Sequence, residues 1–325
     1  MKRVITTALQ GVAIGDAFGV GIEFKSRLWI REHVHFDQFV NVWKGGKNNI
    51  SPGTYSDDTE HTIGLVRALL ANEPFSTDLL LEMCKTEYQN DKTAKGFPRD
   101  GHGSIEAWYT GAKSIDEVRA AQASRDDPGN APVMRAVPLA FVAEADLYKY
   151  ALINANATHP NENGRMASYL TVLVASYFLR HEGERHNLIN WLRGVIKDDG
   201  MLYSLVEIDM LPSPSYLREQ DYLVLHGQQP LPHIPWDSTI YGLPCAAMKT
   251  ALNVVYVLKH SASAFEALRD SVFMGGDIDS LAAVCTGIAG GKYGLDSLPD
   301  FLISQTEGLQ RMEVLADQLH RKFFS

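Results

Sequence analysis

Apolar residues recur with helical spacing along most of the chain. The first such segment covers residues 4–17, and one apolar stripe along it is made of small residues. The stripe consists of Val4, Ala8, Gly11, Val12 and Gly15. Small side chains let two backbones approach, so we expect this helix to pack closely against another helix. The glycine-containing run 15–19 should end it.

The same spacing predicts helices over residues 59–71, 76–89, 147–157, 166–179, 241–258, 262–273, 278–290 and 306–323. Alternating strand patterns are scarce. No repeat and no linker divides the sequence. The pattern therefore predicts an all-α fold in a single domain over residues 1–325, with crossing helices rather than a long coiled coil. Residues 27–52 and 211–240 lack a period and are expected to be loops that serve as lids or binding walls.

One predicted helix, residues 278–290, is small and apolar on every side, which is typical of a helix packed on all faces. It is too short to span a membrane. Its start brings Asp277, Asp279 and Ser280 toward the interior, where an unpaired carboxylate is costly. The stretch holds no basic residue, so a divalent cation such as Mg²⁺ or Mn²⁺ would suit it. A simple helix cap is the alternative interpretation.

A second carboxylate-rich helix start lies near the other end of the chain, where Ser56, Asp57 and Asp58 precede the apolar spacing of residues 59–71. It too has a simple cap as its alternative. Two such starts make a shared site the more specific hypothesis. Both could face one point and hold two ions between them.

Three further polar features of the sequence can each be interpreted in two ways. Glu23 is flanked by apolar residues, as a carboxylate entering a pocket would be, or it is a surface residue beside a turn. Residues 96–104 are glycine-rich and could let backbone N–H groups approach a ligand, although most such runs are only turns. His159 lies between turn residues and should be more exposed than a core histidine, or it caps a helix.

Composition narrows the class of protein. The chain has 325 residues, 45% hydrophobic and 21% charged, values that are ordinary for a soluble globular protein. The formal charge of −9 argues against a nucleic-acid scaffold, which needs a basic face. A small anionic ligand stays possible, because helix N-termini and metal ions can receive phosphates.

The three cysteines, Cys84, Cys245 and Cys285, are far apart and fit neither a zinc spacing nor a disulfide framework. Each has apolar neighbours, so we expect buried thiols in a reducing compartment. The N-terminus imitates a secretory signal only faintly, since Gln10 and Asp16 interrupt it. A cytoplasmic protein without membrane association is expected.

Taken together, the motifs resemble those of the ADP-ribosylglycohydrolases over nearly the whole chain. One short motif is weak evidence, but six in the family's order are specific. They are residues 15–19 with Glu23, residues 56–59, residues 101–103, Gly129-Asn130 with Met134-Arg135, Thr158-His159, and residues 275–280.

The resemblance implies an all-α orthogonal bundle with a binuclear Mg²⁺ or Mn²⁺ centre. By the family's pattern, one ion would be held by Ser56, Asp57 and Asp58. The other would be held by Asp277 and Ser280, with Asp279 bridging the two ions. Glu23 matches an acidic residue implicated in catalysis, and Asp58 and Asp279 join it as catalytic candidates. Substrate-binding candidates are Gly101, His102, Gly103, Ser104, Gly129, Asn130 and His159.

Four positions depart from the family's pattern, in three ways. Ser56 and Ser280 stand where threonine is more common, and a serine can still ligate a metal. Ala131 replaces a frequent glycine after the asparagine, which changes the loop near the ribose. Asn161 replaces a frequent aspartate, which leaves the hydrogen bonding around His159 open.

The expected activity is hydrolysis at the anomeric carbon of the distal ribose of ADP-ribose, releasing a protein side chain, with an arginine linkage favoured. Reversal of toxin-type modification is a possible role. ADP-ribose and an ADP-ribosylated protein are the expected partners, and the oligomeric state is open. Two alternatives remain: a non-catalytic ADP-ribose binding module, and a two-metal hydrolase acting on another nucleotide-like substrate.

Overall fold

The computed structural model describes residues 1–41, 51–232 and 239–325, in which seventeen α-helices occur. They are α1 (Lys2–Gly19), α2 (Arg27–His33), α3 (Asp57–Leu70), α4 (Thr77–Lys95), α5 (Glu106–Tyr109), α6 (Ile115–Ala123), α7 (Ala131–Met134), α8 (Leu147–Thr158), α9 (Glu162–Leu179), α10 (Leu188–Val195), α11 (Asp199–Asp209), α12 (Glu219–His226), α13 (Ala247–His260), α14 (Ala264–Val272), α15 (Ile278–Tyr293), α16 (Asp300–Gln305) and α17 (Leu309–Phe324). The described ranges contain no strand, only two isolated bridges, so the all-α prediction is confirmed.

Helices α1 and α15 pack along one another at the centre of the fold. Gly11, Gly15 and Gly19 repeat every four residues on α1 and face the α15 backbone. A Cβ at Gly15 would lie 2.1 Å from the Ala282 carbonyl oxygen, and one at Gly19 would lie 2.4 Å from the Asp279 Cα. The small stripe thus packs closely as predicted. The helix ends at Gly19, inside the run 15–19 as predicted.

The segment Lys2–Ile22, which contains α1, is also long and apolar enough to cross a membrane by length and composition. Its most apolar window is 83% buried inside the protein. That burial is typical of a core helix, and α15 and α17 both pack against α1.

Helix α3 begins at Asp57, two residues earlier than its apolar spacing predicts. Ser56 caps it, since the Ser56 hydroxyl accepts a hydrogen bond from the Asp58 backbone N–H. The first turn contains Asp57, Asp58 and Glu60, whose charges suit the positive end of the helix dipole. These carboxylates therefore lie within the helix and are carried into the interior with it.

The two predicted loops contain helices that the sequence pattern did not indicate. Residues 27–52 include α2, and residues 211–240 include α12. The two helices are joined by the Arg27 guanidinium, which donates to Glu219 Oε2 at 2.6 Å and stacks 3.9 Å from the Tyr222 ring centroid. The loop prediction is wrong for these parts, and residues 42–50 and 233–238 lie outside the described residues.

Other boundaries shift by a few residues. The helix predicted from residue 241 begins at Ala247, because residues before it contact the turn ahead of α15. The helix predicted from residue 306 begins at Leu309. The apolar spacing gave no prediction for four of the shorter helices, α6, α10, α11 and α16.

Candidate active site

A double-glycine turn fixes the start of α15. Gly275 and Gly276 adopt positive φ values of 67° and 76°, which residues with a side chain rarely reach. The Gly276 N–H donates to the Lys25 carbonyl oxygen at 2.9 Å, and the Asp277 N–H donates to the Leu243 carbonyl oxygen at 2.9 Å. The first turn of α15 is thereby tied to two other segments, which sets the position of Asp277.

Asp16 fixes the start of α3, a role that sequence reasoning missed. The carboxylate is fully buried and accepts from the Ser56 N–H at 2.9 Å, the Thr59 N–H at 2.9 Å and the Thr59 hydroxyl at 2.6 Å. Its position in the 15–19 motif was the available signal. Asp16 links α1 to α3 and holds Asp57 and Asp58 against α15.

The two carboxylate-rich helix starts meet in space. The Ser280 hydroxyl donates to Asp58 Oδ1 at 3.2 Å across 222 residues of sequence. Carboxylate oxygens of Asp16, Asp58 and Asp279 lie within 4.8 Å of one another, and so do those of Glu23, Asp277 and Asp279. We call Glu23, Asp57, Asp58, Asp277 and Asp279 the acidic cluster. Asp57 belongs to neither of these two groups of three carboxylates.

Burial makes ionisation of three of these carboxylates unfavourable. It raises the pKa of Asp58 well above the usual range, and the charges of Asp16 and Asp57 raise it further. Burial also raises the pKa of Asp57 to about 8 and that of Asp277 to about 7. In the described part of the chain, neither Asp57, Asp58 nor Asp277 forms an ion pair with a lysine or arginine.

The cluster fits a divalent cation. Asp58 Oδ2 is a buried atom without a hydrogen-bond partner among the described residues. Carboxylate and hydroxyl oxygens are the hard donors that Mg²⁺ and Mn²⁺ prefer. Ser56 already uses its hydroxyl as an acceptor in capping α3, but a hydroxyl oxygen keeps a second lone pair. The acidic cluster and its two serines can therefore hold a metal ion.

An open cleft begins at Asp57 and leads away from the cluster. It encloses about 610 Å³ including its mouth, a volume within the range of pockets that hold drug-sized ligands. The seven substrate-binding candidates all line it, together with Asp57, His61, Ile105, Gln122, Arg125, Ala131, Met134, Thr158 and Cys245. The structure thus brings the predicted candidates together on one surface.

Glycine is required in the wall formed by residues 101–104. Gly101 has a φ of 106°, and a Cβ there would lie 1.9 Å from Asp57 Oδ1. His102 is buried, and both of its ring nitrogens are engaged: Nε2 lies 2.6 Å from Glu60 Oε1 and Nδ1 lies 3.1 Å from the Arg99 carbonyl oxygen. The His102 ring therefore supports the wall of the cleft from behind.

His159 is buried, so the expectation of an exposed histidine is wrong. Burial lowers its pKa to about 3, and the charge of Arg135 acts in the same direction, so the ring is neutral at pH 7. Its Nδ1 lies 2.8 Å from the Thr158 hydroxyl. A Cβ at Gly129 would lie 2.9 Å from Nε2, so a larger residue there would collide with the ring.

Arg135 anchors this part of the wall, and sequence reasoning assigned it no role. The guanidinium is fully buried and donates to Asn154 Oδ1 at 2.7 Å and to the Thr158 hydroxyl at 2.9 Å. Its presence in the 134–135 motif was the available signal. Arg135 thus fixes Thr158 and, through it, the ring of His159.

The departure at Asn161 has a structural explanation. Its Nδ2 donates to the Ala123 carbonyl oxygen at 3.2 Å and to the Arg125 carbonyl oxygen at 2.8 Å. An aspartate carboxylate could not donate either bond. Asn161 therefore fastens the turn that carries Arg125 to the start of α9, and its backbone N–H donates to the His159 carbonyl oxygen at 2.7 Å.

A second buried polar region lies behind the cleft, and we call Arg99, Glu60, Asp91, Glu307 and His102 the arginine network. Arg99 Nε donates to Asp91, and its NH2 donates to Glu307 Oε1 at 3.0 Å. Its Nε also lies 3.9 Å from Glu60 Oε2. Burial alone would lower the pKa of Arg99, but its partners raise it above the usual value.

The cysteines are free thiols, but their environments differ. Cys84 and Cys285 are buried as expected, whereas Cys245 is exposed at the cleft. The Cys245 thiol donates to Asn130 Oδ1 at 3.3 Å. The prediction of a buried structural thiol is therefore wrong for Cys245.

Fold and site together define a class: an all-α protein whose carboxylate cluster, able to hold divalent cations, lies at the inner end of a ligand-sized cleft. Within that class, the chain belongs to the ADP-ribosylglycohydrolase family, whose model matches residues 2–325.

Named proteins align over most of the chain. ADP-ribosylhydrolase ARH3 of Homo sapiens is 26% identical, covering 97% of this chain and 92% of its own length. The ADP-ribosyl-[dinitrogen reductase] glycohydrolase of Rhodospirillum rubrum is 25% identical, with 92% and 89% covered. A solved structure described as an ADP-ribosylglycohydrolase-related protein complex superposes with a TM-score of 0.66 at 21% identity, covering 98% of each chain, and supports the fold.

Proposed function

We propose that this protein is a metal-dependent ADP-ribosylhydrolase that removes ADP-ribose from a modified protein side chain. The bond hydrolysed is the one at the anomeric carbon of the distal ribose. The observation that carries the proposal is the acidic cluster, which two distant helix starts hold at the inner end of the cleft. Membership of the family and the names of the two aligned relatives support the same reaction.

The cluster would hold two Mg²⁺ or Mn²⁺ ions. Ser56, Asp57 and Asp58 are the proposed ligands of one ion. Asp277 and Ser280 are those of the other, and Asp279 would serve both. When bound, the pair supplies positive charge that orients ribose hydroxyls and increases the acidity of a nearby water. Its position beside the cleft supports this assignment for Asp58 and Asp279 as catalytic residues.

The cleft walls would bind the ADP-ribose. The loop Gly101, His102, Gly103 and Ser104 offers backbone N–H groups, with Gly101 leaving room for Asp57. Gly129, Asn130 and His159 form the facing wall. Because the His159 ring is neutral, it contributes a hydrogen bond rather than charge. If the Thr158 hydroxyl donates to Nδ1, the ring proton lies on Nε2, which points toward Gly129 and the cleft.

Glu23 is the proposed acid–base residue. It is partly exposed, and one of its carboxylate oxygens lies within 4.8 Å of oxygens of Asp277 and Asp279. A carboxylate at that place can take a proton from the attacking water or return one to the leaving group. Hydrolysis develops positive charge on the ribose, which the carboxylate also stabilises.

We favour an arginine linkage, because the released guanidine is basic and the Glu23 carboxylate would stabilise it as a cation. Reversal of a toxin-type modification is one role consistent with that linkage. The cytoplasmic location predicted from the sequence stays a prediction, which fractionation of cells expressing the tagged protein would test.

A release assay tests the reaction. The protein is incubated with arginine-linked and serine-linked ADP-ribosyl proteins, with Mg²⁺, with Mn²⁺ or with a chelator, and products are separated by chromatography. We expect free ADP-ribose from the arginine-linked substrate, and none with the chelator. Release of phosphate or AMP instead would indicate another two-metal hydrolase. Binding of ADP-ribose without turnover would indicate a binding module.

Replacing Glu23→Gln tests the acid–base role. We expect activity to fall by about 10²- to 10⁴-fold, because the amide can neither accept nor return the proton. Cation binding, measured by calorimetry, should persist. Glu32→Gln, an exposed change on α2, is the matched control and should retain activity. Full activity of Glu23→Gln would remove Glu23 from the chemistry.

A further inference from the structure

Asn130 contacts the acidic cluster directly. Its side chain is buried, and Nδ2 donates to Asp277 Oδ2 at 2.6 Å and to the Thr250 hydroxyl oxygen at 3.3 Å. Its Oδ1 accepts from the Cys245 thiol at 3.3 Å. The amide therefore lies between a proposed metal ligand on one side and an exposed thiol on the other.

The neighbours of Asn130 select one orientation of its amide. A rotation by 180° would place Oδ1 against the Asp277 carboxylate, where two acceptors repel. The Thr250 hydroxyl donates to the Ala246 carbonyl oxygen at 3.0 Å, so its oxygen is left to accept from Nδ2. The Cys245 S–H completes the arrangement as a donor to Oδ1. Asn130 thus always presents N–H to Asp277.

This arrangement gives the two oxygens of the Asp277 carboxylate different roles. Oδ2 is held by the amide, so the other oxygen is the one that can turn toward a cation beside Glu23 and Asp279. Hydrogen bonds to a ligating carboxylate fix its direction, and losing them typically weakens metal binding by 10- to 100-fold.

We infer that Asn130 is a positioning residue that aims Asp277 at the metal site, and that the Cys245 thiol sets the orientation of the Asn130 amide. The inference rests on the proposed function, because it takes Asp277 as a cation ligand. It differs from the substrate contact that the family resemblance implies for Asn130. Cys245 gains a role that its sequence neighbours did not indicate.

Calorimetric titration of metal-free protein with Mn²⁺ tests the inference. We expect Asn130→Ala to weaken Mn²⁺ binding by about 10- to 100-fold. Cys245→Ala should weaken it by about 2- to 5-fold, and Cys245→Ser should restore it, because a hydroxyl can donate to Oδ1. Asn253→Ala is the matched control. Asn253 is a buried asparagine on α13 whose amide donates to two backbone carbonyls, so its loss should lower thermal stability without changing Mn²⁺ affinity.

Kinetics separate positioning from substrate contact. At saturating Mn²⁺, Asn130→Ala should recover a near-normal KM for the ADP-ribosyl substrate, whereas a lost substrate contact would keep KM high at any Mn²⁺ concentration. If circular dichroism shows that Asn130→Ala does not fold, the Mn²⁺ affinities of Cys245→Ala and Cys245→Ser test the inference instead.

The outcomes distinguish two failures. Equal Mn²⁺ affinity in wild type, folded Asn130→Ala and Cys245→Ala overturns this inference alone. A wild type that binds no Mn²⁺ overturns the inference together with the metal centre of the proposed function.

Discussion

Helix α3 carries buried carboxylates into two regions with different counter-charges. Asp58, in the acidic cluster, receives a hydrogen bond from Ser280, and the surrounding acidic charges raise its pKa further. Glu60, half a turn later, lies 2.6 Å from His102 and 3.9 Å from Arg99. The protein therefore neutralises one buried carboxylate with its own cations and leaves the other to protons or to a bound ion.

The difference separates a structural region from a functional one. A buried charge with its partners in the same chain needs nothing further, and its removal is damaging. A buried carboxylate without such partners raises the free energy of the folded state until a ligand neutralises it. Strongly perturbed carboxylates beside a cleft are therefore a physical indicator of a binding site.

Arg99→Met should produce the largest effect. It would leave Glu60, Asp91 and Glu307 without their shared cation, and breaking such a buried pair costs about 3–5 kcal/mol. Urea denaturation measures the change. Stability near that of wild type would mean that the network contributes as little as an exposed pair, and the comparison with the acidic cluster would fail.

Asp58→Asn should act in the opposite direction on stability. The metal-free variant should be as stable as wild type or more so, because a neutral amide replaces a poorly compensated carboxylic acid. Its Mn²⁺ affinity should fall about 100-fold, or about 2.7 kcal/mol. Wild type at a Mn²⁺ concentration of 100 times its Kd should gain about 2.7 kcal/mol, and the variant should gain about 0.4 kcal/mol at that concentration. An equal gain in both would remove Asp58 from the metal site.

His226, a buried histidine, extends the comparison of buried ionisable groups to a basic side chain. Burial lowers the pKa of His226 to about 3, and the charges of Arg27 on α2 and Lys249 on α13 act in the same direction. The folded pKa lies below the unfolded value of about 6.5, so the stability contribution is complete above pH 6.5 and declines as the pH falls toward 3.

Between pH 7 and pH 5, wild type should therefore lose about 2 kcal/mol relative to His226→Gln, whose side chain does not titrate. Urea denaturation of both proteins at the two pH values measures the difference. Parallel pH dependence in the two proteins would show that His226 is protonated in the folded state or is not buried.

Ser280→Ala should give the smallest effect. It removes the Ser280 hydroxyl bond to Asp58 Oδ1, which links the two helix starts, at a cost of about 1 kcal/mol. Ser280→Thr keeps the hydroxyl and is the control. Thermal unfolding of metal-free protein measures both, and identical melting temperatures would show that the bond contributes no stability.

The sequence predicted the fold wherever local spacing decides it. The apolar spacing in α3 and α15 marks both helices, and the small residues of α1 predict its close packing. Helices α2 and α12 are short, and contacts such as Arg27 with Glu219, 192 residues apart, hold them together. No local pattern contains such pairs.

The sequence predicted which residue types form the site, but not which residues hold them in position. Carboxylates at two helix starts signalled a shared centre, yet the burial of His159 depends on Arg135 and Thr158. The role of Asp16 likewise depends on hydrogen bonds across about 40 residues of sequence. Such supports become visible only when the helices have been placed in space.

Gly19 shows how far the requirements of the site extend. Gly19 is not itself a proposed ligand, yet its missing side chain allows α1 to touch the backbone of Asp279, which is one. One added methyl group would move that backbone and with it the aspartate. A screen for inactive variants should therefore find substitutions in the packing surface between α1 and α15 as well as substitutions in the cleft.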